Sequence, residues 1–332
     1  AAFLGQPGGI QDPAAGNPEL KPEFTRDFEI GTNLEFYDRR VALDFAWYTR
    51  MSTNQIAPLA LPASSGYGQV VDNFGKLSNK GIEIDLNVIP IRNENFTWSL
   101  HGIFTRNRSV VKELKQGVVR LPLAGVLDEM SPYLEAGKPY GYLRGTMNAR
   151  DEAGNLLINP SNGFLIRSLE QGMVGDPNPD FKTGLSTMLN YKGIFLNALV
   201  DLTRGGDIYS VTTSSLLGRG VTKDTGPGNR ENVYVIPGYY GDPNVPGTAL
   251  LDDKGQKIPN KTAISLFEMY FGETFAINSA TEWNVYDATV YTLREVTIGY
   301  DFPKSIFSRT PIGSLTITLT GRNLWYYAPY LP

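Results

Sequence analysis

The chain of 332 residues contains one histidine, His101, and no cysteine. A histidine-based metal site or a cysteine nucleophile would therefore lack the partners it needs. Glu83 and Asp85 stand at alternate positions, which on a strand places them roughly 7 Å apart, a separation that also suits the paired carboxylates of a glycoside hydrolase. Acids at alternate positions recur in several stretches, however, so they read as a wetted wall and not as a reaction centre. Asp151-Glu152-Ala153-Gly154-Asn155 and Asp252-Asp253-Lys254-Gly255-Gln256 resemble calcium loops at first sight. Neither has the alternating acidic positions closing on a bidentate Glu, so both are predicted to be β-turns between short apolar runs. Gly218-Arg219-Gly220 lacks the third glycine and the strand-to-helix setting of a nucleotide loop. No catalytic residue, metal ligand or cofactor is expected, and the protein is not expected to be an enzyme.

The elements carrying these residues are strands. In residues 79–90, Ile82, Ile84, Leu86 and Val88 share one face, with Glu83, Asp85 and Asn87 on the other. Residues 96–110 mirror them: Phe96, Trp98, Leu100, Gly102 and Phe104 oppose Thr97, Ser99, His101 and Thr105. The short polar link between the two runs predicts an antiparallel hairpin. Three more follow the same rule. Phe28, Ile30, Leu34 and Phe36 lead to Val41, Leu43, Phe45 and Trp47; Leu185, Leu189 and Tyr191 lead to Leu196, Ala198, Val200 and Leu202; Val296, Ile298, Tyr300 and Phe302 lead to Leu315, Ile317 and Leu319.

Composition narrows the class. Hydrophobic residues make up 41% and charged residues 19%, with a net charge of −4. That balance argues against a nucleic-acid partner, which would call for a basic face. No run of 18 apolar residues occurs, so a transmembrane helix is excluded. A transmembrane β-barrel is not, because its strands carry their apolar residues at every second position. Residues 1–22, rich in Gly and Pro, lack the charged-then-apolar order of a signal peptide.

Connection lengths and charge placement support the barrel. Links are short within hairpins and long between them, at roughly residues 56–77, 112–180 and 205–288, and structureless loops of that length are rare in compact soluble domains. Outer-membrane barrels combine tight periplasmic turns with long extracellular loops. The central part of the apolar face carries no charge. Turning Lys182 or Arg322 toward lipid would cost ~2–4 kcal/mol each. Aromatics gather near strand ends, at Phe36-Tyr37, Trp47-Tyr48, Tyr191, Tyr300 to Phe302 and Trp325 to Tyr327, as in interfacial girdles.

Several segments resemble the SusC/RagA-type TonB-dependent outer-membrane transporters of the Bacteroidetes. They are Leu20-Lys21-Pro22-Glu23 with Phe28-Glu29-Ile30-Gly31, Asn79-Lys80-Gly81-Ile82-Glu83, and Gly175-Asp176-Pro177-Asn178-Pro179-Asp180-Phe181. Further on come Gly205-Gly206-Asp207-Ile208-Tyr209, Leu293 through Tyr300, and Gly321-Arg322-Asn323-Leu324-Trp325. They follow the family's order across almost the whole chain. The resemblance implies a plugged barrel of about 22 strands, of which eight or so are visible here. Residues 1–332 are thus expected to form a C-terminal part of the barrel, with the plug, the TonB-interacting segment and the final strand absent. Gly81, where a strand is expected to leave a loop, reads as a point of backbone freedom. Pro177 and Pro179 stiffen the approach to the next strand, and Gly205-Gly206 permit a reversal.

The resulting expectation is an all-β fold: a partial transmembrane antiparallel β-barrel with long extracellular loops, in the outer membrane of a Gram-negative cell. Its lumen-facing polar wall would include Glu83, Asp85, His101, Asp201, Glu295 and Arg322. Loop aromatics Tyr239, Tyr240, Trp283 and Tyr286 are candidates for ligand contact through ring stacking. By resemblance, the whole protein imports oligosaccharides or oligopeptides, with TonB acting through the plug and a SusD-like surface lipoprotein as partner; membrane lipid surrounds the wall. The alternatives are a SusC-like barrel serving as a scaffold in a larger outer-membrane complex, or a soluble all-β glycan-binding module.

Overall fold

A computed structural model describes residues 2–3, 6–7, 14–61, 63–123, 130–223, 225–271 and 279–331; part of the Gly- and Pro-rich stretch 1–22 therefore lies outside the described residues. The four expected hairpins form one sheet of eight long strands: β1 (Phe24–Phe36), β2 (Val41–Ala60), β3 (Gln69–Arg92), β4 (Phe96–Leu114), β5 (Phe181–Tyr191), β6 (Ile194–Arg204), β7 (Val290–Asp301) and β8 (Thr316–Tyr327). Each pairs antiparallel with its neighbours in sequence, in the order β8-β7-β6-β5-β4-β3-β2-β1. A two-residue strand, Ala14–Ala15, adds in parallel to Gln69-Val70. No helix among the described residues is long and apolar enough to cross a membrane.

Register fixes which side chains share a face, because cross-strand partners point the same way. Leu34 lies opposite Leu43, Leu43 opposite Leu86, Leu86 opposite Gly102, and Gly102 opposite Leu185. The row continues from Leu185 to Val200 and from Val200 to Leu293. Leu293 in turn lies opposite Trp325, so one continuous apolar face spans all eight strands. Phe28 is 59% exposed, Leu185 55%, Ile298 53% and Leu319 78%. A soluble sandwich would bury this face under a second sheet, and among the described residues none covers it.

Aromatics bound the apolar face at both ends. Near the tight turns stand Phe36, Tyr37, Phe96, Tyr191, Tyr300 and Phe302. At the opposite end Phe28 meets Trp47 at 6.1 Å between ring centroids, Phe104 meets Phe181 at 5.4 Å, and Trp325 stacks on Tyr327 at 6.1 Å. About ten residues separate the two belts, the length of a tilted membrane-spanning strand. Beyond the upper belt the same face turns charged, at Lys80 and at Arg106, which lies opposite Ile82.

Strands β2, β3 and β4 nevertheless continue, to 20, 24 and 19 residues. The expected loop at 56–77 is therefore mostly strand, and only 61–68 reverses the chain. Alternation fails as a guide there because both faces meet protein or water instead of lipid. Asn54 takes a positive φ of 55° at a register shift, and Asn73 ties the bulge by donating to the carbonyls of Asn54 at 2.7 Å and Lys21 at 2.8 Å.

The long connections are also structured. Residues 112–180 contribute a four-stranded sheet of Arg120–Pro122, Ser131–Glu135, Tyr142–Asn148 and Arg167–Gly175. It packs on the strand extensions through a core of Leu59, Phe74, Val111, Leu121 and Leu134. A second core joins Ile158, Leu165, Ile236 and Ile264, and a third Ala149, Leu157 and Ile166. Two short helices, α1 (Val211–Gly218) and α2 (Leu266–Phe271), lie in the last connection. Serine caps both: Ser210 accepts from the Thr213 amide, while Ser265 and Glu268 form a reciprocal box.

Gly81 departs from expectation. It lies well inside β3, opposite Tyr48, and a Cβ there would run into the Tyr48 ring. Its role is to leave room for an aromatic, and no loop begins there. The Phe195 ring covers Gly299 in the same way. Gly205 and Gly206 do adopt positive φ, 69° and 82°, at the reversal expected of them.

Candidate functional site

The face opposite the apolar one is mostly polar, broken by Ile103, Met188, Phe195 and Leu199, and register places the expected wall residues on it. His101 Nε2 sits 2.9 and 3.0 Å from the two oxygens of Asp85. Glu295 accepts from Arg322 Nε at 2.9 Å. Asp201 accepts from Arg294 Nε at 2.6 Å. Sequence patterning did not single out Arg294, because strict alternation assigns its neighbours and skips it. A bulge between Leu293 and Glu295 in both ladders brings it to Asp201, and its Nη1 donates to Asn323 at 3.3 Å. Asn323 has φ of 50°, and an asparagine after Gly321-Arg322 was the available hint of that bulge.

Toward β1 the wall is acidic and hollow. Gly31 and Ala46 form the floor of a depression of about 550 Å³ rimmed by Glu29, Asp44, Glu83 and Asp85. A neighbouring hollow of about 310 Å³ shares Glu29 and Glu83 and adds Asp27, Tyr48, Arg50, Asn79 and Asn107. Arg50 pairs with Asp27 at 2.8 Å, and Asn107 donates to the Tyr48 hydroxyl at 2.7 Å. The small residues make the depth, since larger side chains at 31 and 46 would fill it.

The four loop aromatics sit in the outer layer above the upper belt. Tyr239–Tyr240 runs parallel to Leu157–Ile158; Tyr239 packs on the Ala149, Leu157 and Ile166 core. The Tyr240 hydroxyl pairs with Thr262 at 2.9 Å and accepts the Lys261 amide at 3.1 Å, bonds that lower its pKa. Trp283 gives its indole N–H to Asn148 and packs beside Ile158 and Leu165. Tyr286 belongs to a separate ladder with Asp207–Tyr209, where burial raises its phenol pKa. The structure thus puts Tyr239 and Trp283 on two different loop cores and Tyr286 on a separate ladder.

Both turn predictions hold in geometry. Asp151 accepts from the amides of Ala153 at 3.0 Å and Asn155 at 2.9 Å, and Asp252 from those of Lys254 at 2.9 Å and Gln256 at 2.8 Å. Lys257 joins the two turns through a 2.7 Å ion pair with the buried Asp151 carboxylate. The hydrogen bond from Lys257, followed by that from Asn155, holds this carboxyl well below the usual range. At the rim above β5 and β6, Asp207 accepts the Asp176 amide at 2.6 Å. Burial raises its pKa, and Asp287, Asp176 and Asp180 add to the effect.

A sheet with one lipid-matched face, one water-matched face and a structured outer layer is the wall of a transmembrane β-barrel. The family model for the TonB dependent receptor-like β-barrel matches residues 2–324, and the chain belongs to that family. It is accordingly an outer-membrane protein of a receptor and transporter class. Among its relatives are TonB-dependent receptor P3 of Formosa agariphila, 25% identical over 95% of this chain and 30% of the relative, and receptor P26 of the same organism, 25% identical over 59% and 22%. The RagAB peptide importer in its closed-closed state superposes with a TM-score of 0.64 at 17% identity, over 95% of this chain and 33% of that one. The RagAB peptide transporter gives 0.63 at 16% identity, over 95% and 33%. The match thus spans between about a fifth and a third of the length of these proteins.

Proposed function

We propose that this chain supplies the C-terminal part of the barrel wall and the extracellular loops of a TonB-dependent importer of oligosaccharides or oligopeptides, whose plug and TonB contact lie in other parts of the protein. A SusD-like surface lipoprotein is the proposed partner, membrane lipid covers the apolar face, and no covalent chemistry is involved. The observation that supports this reading is the largely polar face that continues through all eight strands in register, lined with hydrogen-bonding groups and hollows and interrupted at Ile103, Met188, Phe195 and Leu199. Two of the solved structures it resembles are described as peptide importers, which favours peptide cargo within this reading.

The acids of the wall give it a charge preference. Glu29, Asp44, Glu83 and Asp85 crowd the rim of one hollow, with Arg50 as the cation near Glu29, so the wall favours neutral or cationic cargo over polyanions. Loop aromatics such as Tyr239, Tyr240, Trp283 and Tyr286 would contact cargo through their outward edges. Uptake of labelled peptides and glycans by cells carrying the complete protein tests the reading. Loss of uptake on deletion of the gene supports import. Unchanged uptake, with the surrounding complex disrupted, favours the scaffold alternative. A sulfated glycan that competes better than its neutral counterpart overturns the charge preference.

A further inference from the structure

The tight-turn end of the sheet carries a charge that passage through the lumen does not use. Turns at 37–40, 91–95, 192–193 and 302–315 hold Arg39, Arg40, Arg92, Lys192, Lys304 and Arg309, against only Asp38 and Glu94. The opposite end differs: residues 205–288 hold six basic residues against ten acidic ones. Arg39 pairs with Glu35 at 3.0 Å, and Arg40 reaches only the Arg92 carbonyl at 3.5 Å. Among the described residues, the five cations other than Arg39 have no carboxylate at ion-pair distance.

These turns form one continuous rim. The Ile89 amide donates to Arg40 O at 2.7 Å, that of Lys192 to Asn95 O at 3.0 Å, and that of Asp301 to Gly193 O at 2.8 Å. The cations also border the lower aromatic belt. Lys192 Nζ lies 5.5 Å from the Tyr191 ring centroid, and Tyr37, Tyr191, Ile194 and Ile306 are all at least half exposed beside them. Cationic heads level with aromatic rings, above an apolar band, match the chemistry of a lipid interface.

We propose that this rim binds the headgroups of anionic phospholipid in the periplasm-facing leaflet. Successive headgroups line the rim, their phosphates against the cations of one turn or of adjacent turns, Arg40 and Arg92, Lys192, and Lys304 with Arg309, and the acyl chains lie along Tyr191 and Ile194. Because the cations stand beside exposed rings at the edge of the apolar band, a ligand with both an anionic head and acyl chains engages both, which favours lipid over an acidic soluble protein. The inference rests on membrane placement and not on the identity of the cargo.

Native mass spectrometry of the full-length protein in nonionic detergent, with phosphatidylglycerol or phosphatidylcholine added, tests it. The wild type is expected to retain phosphatidylglycerol over phosphatidylcholine. Arg92→Gln and Lys192→Gln should each weaken that retention on the order of fivefold. A quadruple variant adding Lys304→Gln and Arg309→Gln should abolish the preference, while Arg92→Lys keeps it. Arg39→Gln, at the paired position, should change it far less. Heat-modifiable gel mobility establishes that each variant is folded, and the single variants serve if the quadruple is not. Equal retention of the two lipids by the wild type, or unchanged preference in the folded variants, overturns the proposal.

Discussion

Each wall position answers to the solvent its side chain meets. Leu86, on the apolar face, and Asn87, on the polar face opposite His101, are adjacent in sequence and face different media. Leu86→Arg in the full-length protein should cost ~2–4 kcal/mol, whereas Asn87→Arg should stay within about 0.5 kcal/mol; denaturant unfolding from liposomes measures both. The exposed hydrogen bond between Asp85 and His101 and the ion pair of Glu295 with Arg322 contribute little to stability. Gly81 is a steric requirement. Gly81→Ala should cost about 1–3 kcal/mol by driving a methyl into the Tyr48 ring. In the double variant with Tyr48→Ala the penalty should fall, and a double-mutant cycle reads that coupling.

At the level of elements, the outer layer is held by small cores, one of which it shares with the extensions of β2 to β4. Leu134 is fully buried between its own sheet and the extensions of β2 to β4. Leu134→Ala should destabilise that layer by about 2–5 kcal/mol, seen as faster hydrogen exchange over residues 120–148 with β5 to β8 unchanged. The paired turns at 151–155 and 252–256 depend on Asp151 being ionised. Its folded pKa is depressed, so its stabilisation is present above the unfolded value of about 4 and fades as pH falls below it. Peptic nicking at these turns should therefore rise below about pH 4, with no comparable change between pH 5 and 8. Asp151→Asn should remove the dependence. The turns themselves were legible in sequence, since Asp followed three residues later by Gly specifies them. Their joining by Lys257 was not, because it links positions 106 residues apart.

At the scale of the whole molecule, the sheet divides space into three media: lipid on one face, the lumen on the other, and water around the outer layer. The face assignment of all eight strands and their pairing into four hairpins follow from alternation. Strand length in β2 to β4 does not, because above Lys80 and Arg106 lipid no longer dictates which side chains are apolar. The candidate wall was legible for the same reason as the strands. Arg294 escaped because a bulge breaks the parity on which the reading depends. Tyr239, Tyr240, Trp283 and Tyr286 could be named from their type, but their mutual placement depends on loop cores assembled from distant segments.

Alone, the sequence determined which residues meet acyl chains, since a period of two with uncharged apolar positions fits a lipid-facing strand and the costs of reversing it are large. Only the tertiary structure decided how far the strands rise above the bilayer, which acid meets which base, and how the tight turns join into one basic rim. Those outcomes depend on contacts between segments tens to a hundred residues apart, and local patterning carries no record of such distances.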